Sequence, residues 1–246
     1  MEINFETLIP KFDEALSRGL CKGVGNRNGQ MDIEAAICYA LDLPHGDNPT
    51  CVEPAVRAYE IRLNDSDWSS PKARATGLRN IGIAQVGSRG VVDGGVFSEK
   101  LAQKTIQVLI PQLFRQIFPN NQSCLDVALR CETEGTSAAI RAASYTANAA
   151  ANAAYDDVNA DAAGAAYAAG AAYAAGANAA YAAVAAARAA DTAHVADGVY
   201  AAARAAANTA RSAAAASADA DKWLILSAEL ALDVLRELKS PGCAYI

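Results

Sequence analysis

Histidine is almost absent from this 246-residue chain, which holds only His45 and His194. That scarcity argues against catalysis by a histidine cluster and against a multi-histidine metal centre, and no cofactor is expected. Basic charge is also in deficit, with 21 Lys and Arg against 27 Asp and Glu and a formal net charge of −6. Non-specific duplex binding draws on Lys and Arg that neutralise phosphates, so duplex nucleic acid is not an expected partner. The acids are scattered among bases rather than gathered in blocks, which argues against a nucleic-acid mimic. Aromatic residues make up 7% of a chain that is 52% hydrophobic, so most apolar content comes from small side chains.

The six cysteines, at 21, 38, 51, 124, 131 and 243, include no C-x-x-C pair. Reduced thiols fit this pattern better than a disulfide frame or a zinc site. Cys124 and Cys131 lie seven residues apart, share a helix face and read as small core residues, a functional thiol pair being the alternative. The opening residues carry Glu2, Glu6, Asp13 and Glu14 and no uninterrupted apolar stretch. They do not form a secretory signal, and a cytoplasmic location is expected. An uncharged run from Ala162 to Ala187 is long enough to span a bilayer, but it is mostly Ala, and Ala gains little on leaving water. It is read as a helix of a protein without membrane contact. Cys243-Ala244-Tyr245-Ile246 matches a prenylation box in letter, yet Tyr fits its second aliphatic position poorly and no polybasic stretch precedes it.

Composition divides the chain into residues 1–136, of mixed content, and residues 137–246. Positions 138–220 contain 46 Ala in 83 residues. In the first region helix signals recur. Pro10 stands near the start of a helical pattern running to Leu20. Asp32 caps a helix through Leu41. Thr50-Cys51-Val52-Glu53 reads as a capping box before Pro54 and a helix to Leu63. Ser70-Pro71 opens a helix towards Val86, Ser98 one to Phe118 that Pro111 divides after Ile110, and Ser123 to Asp126 a further box with its stop at Gly135. Gly90 to Gly95 is the best strand candidate and is more simply a turn.

Ala has the highest helix propensity, so the second region reads as helices 137–158, 161–190, 197–217 and 221–239. Arg141, Asn148, Asn152, Asp156 and Asn159 fall on one arc and mark a wet face; Asp197, Arg204, Asn208 and Arg211 mark another. Gly164, Gly170 and Gly176 repeat every six residues, but six residues turn a helix by 600°, so they form no single seam. A hexapeptide β-helix is disfavoured because Ala is depleted in strands. The tyrosines at 145, 155, 167, 173, 181 and 200 either fill gaps between Ala helices or present a recognition surface. The last helix carries Trp223, Leu224, Leu230, Val234 and Leu235 and is expected to pack back on the first region. The expected fold is all-α, a multi-helix amino-terminal region packed with a bundle of long Ala-rich helices and closed by an apolar carboxy-terminal helix.

Two loops carry candidate chemistry. Lys22-Gly23-Val24-Gly25-Asn26-Arg27-Asn28-Gly29 precedes the helix at Asp32, where backbone amides with Lys22 and Arg27 can cradle a phosphate. It lacks the G-K-[ST] ending of a Walker loop and follows no strand, and a flexible turn is the plainer reading. His45, Asp47, Asn48 and Cys51 lie within seven residues, enough for acid–base or nucleophilic work, or for a rigid turn. Arg57, Arg62 and Trp68 follow on a varied segment, and Arg74, Arg79 and Arg89 add positive charge. The candidate ligand-binding residues are therefore Lys22, Gly23, Gly25, Arg27, His45, Asp47, Arg57, Arg62 and Trp68, with His45, Asp47 and Cys51 as the catalytic alternative. His194, between Asp191 and Asp197, reads as part of a helix break.

Residues 141–215, with Ala-Ala-Arg-Ala-Ala-Asp-Thr-Ala-His-Val at 186–195 and Ala-Ala-Ala-Arg-Ala-Ala-Ala-Asn at 201–208, resemble the Ala-rich helical immunity proteins of bacterial toxin systems. Leu-Pro-His-Gly-Asp at 43–47 and Ser-Pro-Gly-Cys-Ala at 240–244 look like a group of proteins from bacteria and their phages. The resemblance implies no catalytic residues. It implies a non-enzymatic protein of bacterial or phage conflict that neutralises a defence or toxin component, by covering a protein surface or by sequestering a phosphorylated small molecule. The rivals are an enzyme acting on a nucleotide or protein through His45, Asp47 and Cys51, and a structural helical assembly. A homo-oligomer is compatible with faces of Ala that pack helices within or between chains.

Overall fold

The computed structural model describes residues 3–156, 199–215 and 219–246. The expected helix 161–190, the six-residue glycine repeat, Tyr167, Tyr173, Tyr181 and His194 lie outside the described residues. Helices account for the architecture and no strand is present among those described: α1 (Phe5–Ser17), α2 (Ile33–Ala40), α3 (Pro54–Asn64), α4 (Pro71–Ala84), α5 (Gly94–Lys104), α6 (Ile110–Ile117), α7 (Gln122–Glu134), α8 (Ser137–Asp156), α9 (Val199–Ala215) and α10 (Ala220–Glu237). A 3-10 turn, Pro241–Tyr245, follows. No described helix is long and apolar enough to cross a membrane.

Several helix starts follow their sequence signals and others do not. Asp32 accepts from the Ala35 N–H and Ser70 from the Ala73 N–H, as expected of N-caps. The box at Thr50 does not form. Pro54 takes the first helical position, so Glu53 before it is held extended, at φ −62° and ψ 127°, and caps without a side-chain bond. Ser98 is buried inside α5, and Asp93 caps that helix through the Val96 N–H. Asn121, rather than Ser123, caps α7 through Cys124 N–H. In α1 the cap is Asn4 and Pro10 is internal; Gly19, at φ +82°, leaves Leu20 beyond the helix in a bridge to Met31. Gly135 ends α7 in the left-handed conformation, as expected. Pro111 lacks the N–H that would continue the α ladder, and a π turn, Thr105–Leu109, precedes it, with Ile110 N–H returning to the Thr105 carbonyl.

Residues of both composition regions share one core. α10 packs on α4, α5 and α9, and α9 packs on α3 and α5. Trp223, Tyr59, Phe12, Phe97 and Phe114 are its largest fully buried side chains. The Tyr59 hydroxyl meets Ser227 Oγ at 2.7 Å, tying α3 to α10 inside that core. α9 shows how Ala builds an interface: Ala206, Ala207, Ala210 and Ala213 are fully buried, while Asn208 and Arg211 of its polar stripe are half-buried. In α8 the buried line is Ala139, Ile140, Ala143 and Ala147, and Arg141, Asn148 and Asn152 lie on the exposed side. Cys124 and Cys131 are buried core residues and no described cysteine is in a disulfide.

Candidate functional site

The glycine loop is folded onto itself and its neighbours. Cys21 N–H donates to the Met31 carbonyl, Asn26 N–H to the Gln30 carbonyl, Asn28 N–H to its neighbour Asn26 Oδ1, and Gly23 N–H to Asp65 Oδ1. Gly25, at φ +69°, leaves no room for a side chain, because a Cβ there would lie 2.4 Å from the Gln30 carbonyl oxygen. The loop's cations are also occupied. Lys22 pairs with Asp67, and Arg27 donates to the Leu43 carbonyl at 2.8 Å with its guanidinium over the Tyr39 ring. His45 Nε2 lies 3.2 Å from the Gly25 carbonyl, so the structure does bring this histidine to the loop.

The other sequence candidates turn to different partners. Arg57 donates to Asn48 Oδ1 and to the Asp47 carbonyl, bracing the 43–53 segment from α3. Arg62 Nε donates to Asn208 of α9 at 2.7 Å. Trp68 is buried, its indole N–H on the Leu63 carbonyl and its ring against Gly77. No hydrogen bond joins any two of His45, Asp47 and Cys51 among the described residues. Cys51 instead lies half-buried in a cleft, and burial pushes its thiol up from the usual range. A raised thiol is a poor nucleophile at neutral pH.

That cleft, of about 480 Å³, brings Thr50, Cys51, Gly87 and Arg89 together. Its apolar wall is formed by Ile3, Phe5 and Pro241, with Phe5 also stacked on Tyr245 at 4.0 Å between ring centroids. The rim is held by two long-range bonds: Arg89 N–H to the Cys51 carbonyl, and Glu53 N–H to Ser88 Oγ at 2.8 Å. Arg74 is buried and donates to the Leu20 and Ser66 carbonyls, and Arg79 is paired with Asp13. Of the guanidinium groups of Arg27, Arg57, Arg62, Arg74, Arg79 and Arg89, only the last has no hydrogen-bond or ion-pair partner among the described residues. Its field also reaches Glu53, whose carboxyl is pushed up by burial and drawn part of the way back by the nearby Ala55 N–H and by Arg89. A second cleft, of about 360 Å³, is lined by Asp67, Asn208, Arg211 and Ser212. An acid in its lining makes it the poorer host for an anion.

The core also holds a polar group that sequence reading missed. Glu34, Glu60 and Gln85 are fully buried, and no side-chain oxygen of the three, nor the Gln85 amide nitrogen, has a hydrogen-bond partner among the described residues. Glu60 is pushed up to about 8 by burial, and Glu34 well above the carboxylate range by burial and by Glu60. Asp32 rises to about 7, again by burial. The signal was present: Ile33-Glu34-Ala35-Ala36-Ile37-Cys38 is apolar on every side, and a helix apolar all round is buried, its Glu included. Comparison with models of protein families, with curated proteins and with solved structures finds no match.

Proposed function

We propose that the protein is a non-enzymatic binding protein that takes up a phosphorylated small molecule in the Cys51–Arg89 cleft. In line with the resemblance in its Ala-rich stretch, it acts in the cytoplasm in bacterial or phage conflict, withdrawing a signal on which a defence or toxin component depends. The carrying observation is the contrast among six arginines of the first region: Arg27, Arg57, Arg62, Arg74 and Arg79 are tied to protein partners, and Arg89 stands at a cleft with its guanidinium exposed. Thr50 adds a hydroxyl beside it, and Ile3, Phe5 and Pro241 offer a wall for a flat apolar moiety. The volume lies in the range of ordinary small-molecule sites.

Adenosine monophosphate serves as a probe because it joins one phosphate to one flat base. Calorimetric titration should show tighter binding of this probe than of inorganic phosphate. Arg89→Glu should weaken it by at least about 2 kcal/mol, roughly 30-fold, as expected for losing a charge-assisted hydrogen bond. Helicity should be unchanged. Equal binding by the wild type and by Arg89→Glu removes the cleft from the account. Charge reversal at Arg27 or Arg57 is a different experiment, since it breaks loop braces and should lower stability.

A second reading, the covering of a protein surface, is favoured by one observation. Tyr145 of α8 is 77% exposed and Leu129 of α7 is 55% exposed, large apolar-bodied side chains on a surface that also carries the charged Arg130, Glu132, Glu134 and Arg141. Tyr145→Ala should then abolish neutralisation of a toxin in co-expression while leaving adenosine monophosphate binding intact.

A further inference from the structure

The segment that follows α10 crosses the end of α4 and shares its contacts with the cleft. It leaves the helix through Lys239, at φ +58°, a left-handed conformation that favours glycine over a residue with a Cβ. Ser240 is buried with its hydroxyl on the Ala84 carbonyl, and Gly242 N–H donates to the Val86 carbonyl at 3.2 Å. Gly242 lies so close to α4 that a Cβ there would stand 2.0 Å from the Ile83 carbonyl oxygen. Pro241 faces Gly87, where a Cβ would lie 3.3 Å from the proline ring. Tyr245 is stacked on Phe5 and is still 49% exposed. Phe5 and Gly87 both line the cleft, as Pro241 does. Two residues beyond Gly87, Arg89 N–H holds the Cys51 carbonyl.

We propose that residues 240–245 form a detachable strap, which makes one wall of the Cys51–Arg89 cleft when docked and opens that side when lifted. The contacts of Ser240, Pro241, Gly242 and Tyr245 are with the end of α4 and with Phe5, whereas α10 before them is anchored in the core by Trp223, Leu224, Val234 and Leu235. Lifting the strap therefore leaves the core in place, and it removes the Pro241 wall while uncovering Phe5 and Gly87 together. A ligand that touches Pro241 and Arg89 at once binds the docked state better, and so holds the strap down. That coupling to a ligand rests on the function proposed above; the detachable strap does not.

Alkylation by iodoacetamide, followed residue by residue by mass spectrometry, reads the strap through two half-buried thiols, Cys243 within it and Cys51 in the cleft. Cys21, half-buried in the glycine loop, and the buried Cys38, Cys124 and Cys131 report on the rest of the fold. Gly242→Ala cannot dock without displacing the α4 backbone, so Cys243 and Cys51 should be labelled at least about tenfold faster than in the wild type, with the other thiols unchanged. Tyr245→Ala loses the stack on Phe5 and should show a smaller acceleration at the same two thiols, which keeps the test open should Gly242→Ala fail to fold. Unchanged rates at Cys243 and Cys51 in both folded variants overturn the proposal. Acceleration spread over all the cysteines, the mark of general unfolding, overturns it too. Saturating adenosine monophosphate should slow labelling of wild-type Cys243, which lies outside the cleft lining, by at least about threefold. If the wild type binds this probe through Arg89 while Cys243 is not slowed and Gly242→Ala binds equally well, the strap has no part in the site and the proposal fails with the cleft reading intact. If the wild type does not bind the probe, the cleft reading falls, and selective acceleration in the variants still supports the strap.

Discussion

Gly25 and Gly23 stand two residues apart in one loop, both at positive φ, yet they place different demands on the sequence. Nothing lies within 4 Å of a Cβ built on Gly23, whereas at Gly25 the Gln30 carbonyl, Cys21 Sγ and Met31 Cα are all closer than 3 Å. Gly23→Ala should cost about 1 kcal/mol, through backbone strain alone. Gly25→Ala adds overlap with backbone that cannot give way and should cost at least about 2 kcal/mol more in urea denaturation. Equal losses would refute the packing described for the loop. The same contrast explains what was legible at this scale. The sequence shows glycines beside Lys22 and Arg27, which suggests a cradle, but not that Asp67 and the Leu43 carbonyl already occupy both cations. Nor does it separate Arg89 from Arg74 and Arg79, since the partners Leu20 and Asp13 lie far away in sequence.

At the scale of elements, helix existence followed from periodicity while helix starts depended on context. Asp32 and Ser70 cap where expected because each is followed by an apolar helical pattern with no better cap nearby. Around Thr50, Ser98 and Ser123 several capable residues compete, and tertiary bonds decide. Ser88 takes the Glu53 N–H, Ser98 is drawn into the core, and Asn121 and Asp93 take the caps. Gly135 was legible because a left-handed stop suits glycine. A Cβ there would also lie 2.8 Å from Gln107, so Gly135→Ala should lower stability by about 1 kcal/mol or more. The role of α10 was equally legible from its large apolar residues. Trp223→Ala should cost about 3–5 kcal/mol, and a loss below about 1 kcal/mol would contradict its place at the centre of the core.

At the scale of the whole molecule, α3 connects the parts that matter for function. Its amino end braces the 43–53 segment through Arg57, its buried face carries Glu60 and Tyr59, and α9 packs against it, held by Arg62 on Asn208. The Ala-rich composition thereby supplies close packing for a body whose polar features lie elsewhere. The all-α class was legible because Ala, caps and period all agree. The cleft was not, since its walls come from residues 3–5, 50–51, 87–89 and 241, which only the closed core brings together. The most direct test of the central claim uses wild-type and Arg89→Glu proteins exposed to the same host small-molecule extract. Native mass spectrometry is followed by denaturation and analysis of what each releases. The account predicts one phosphorylated small molecule per wild-type chain, absent from Arg89→Glu. The same molecule held equally by both proteins, or no phosphorylated species held by either, would contradict it.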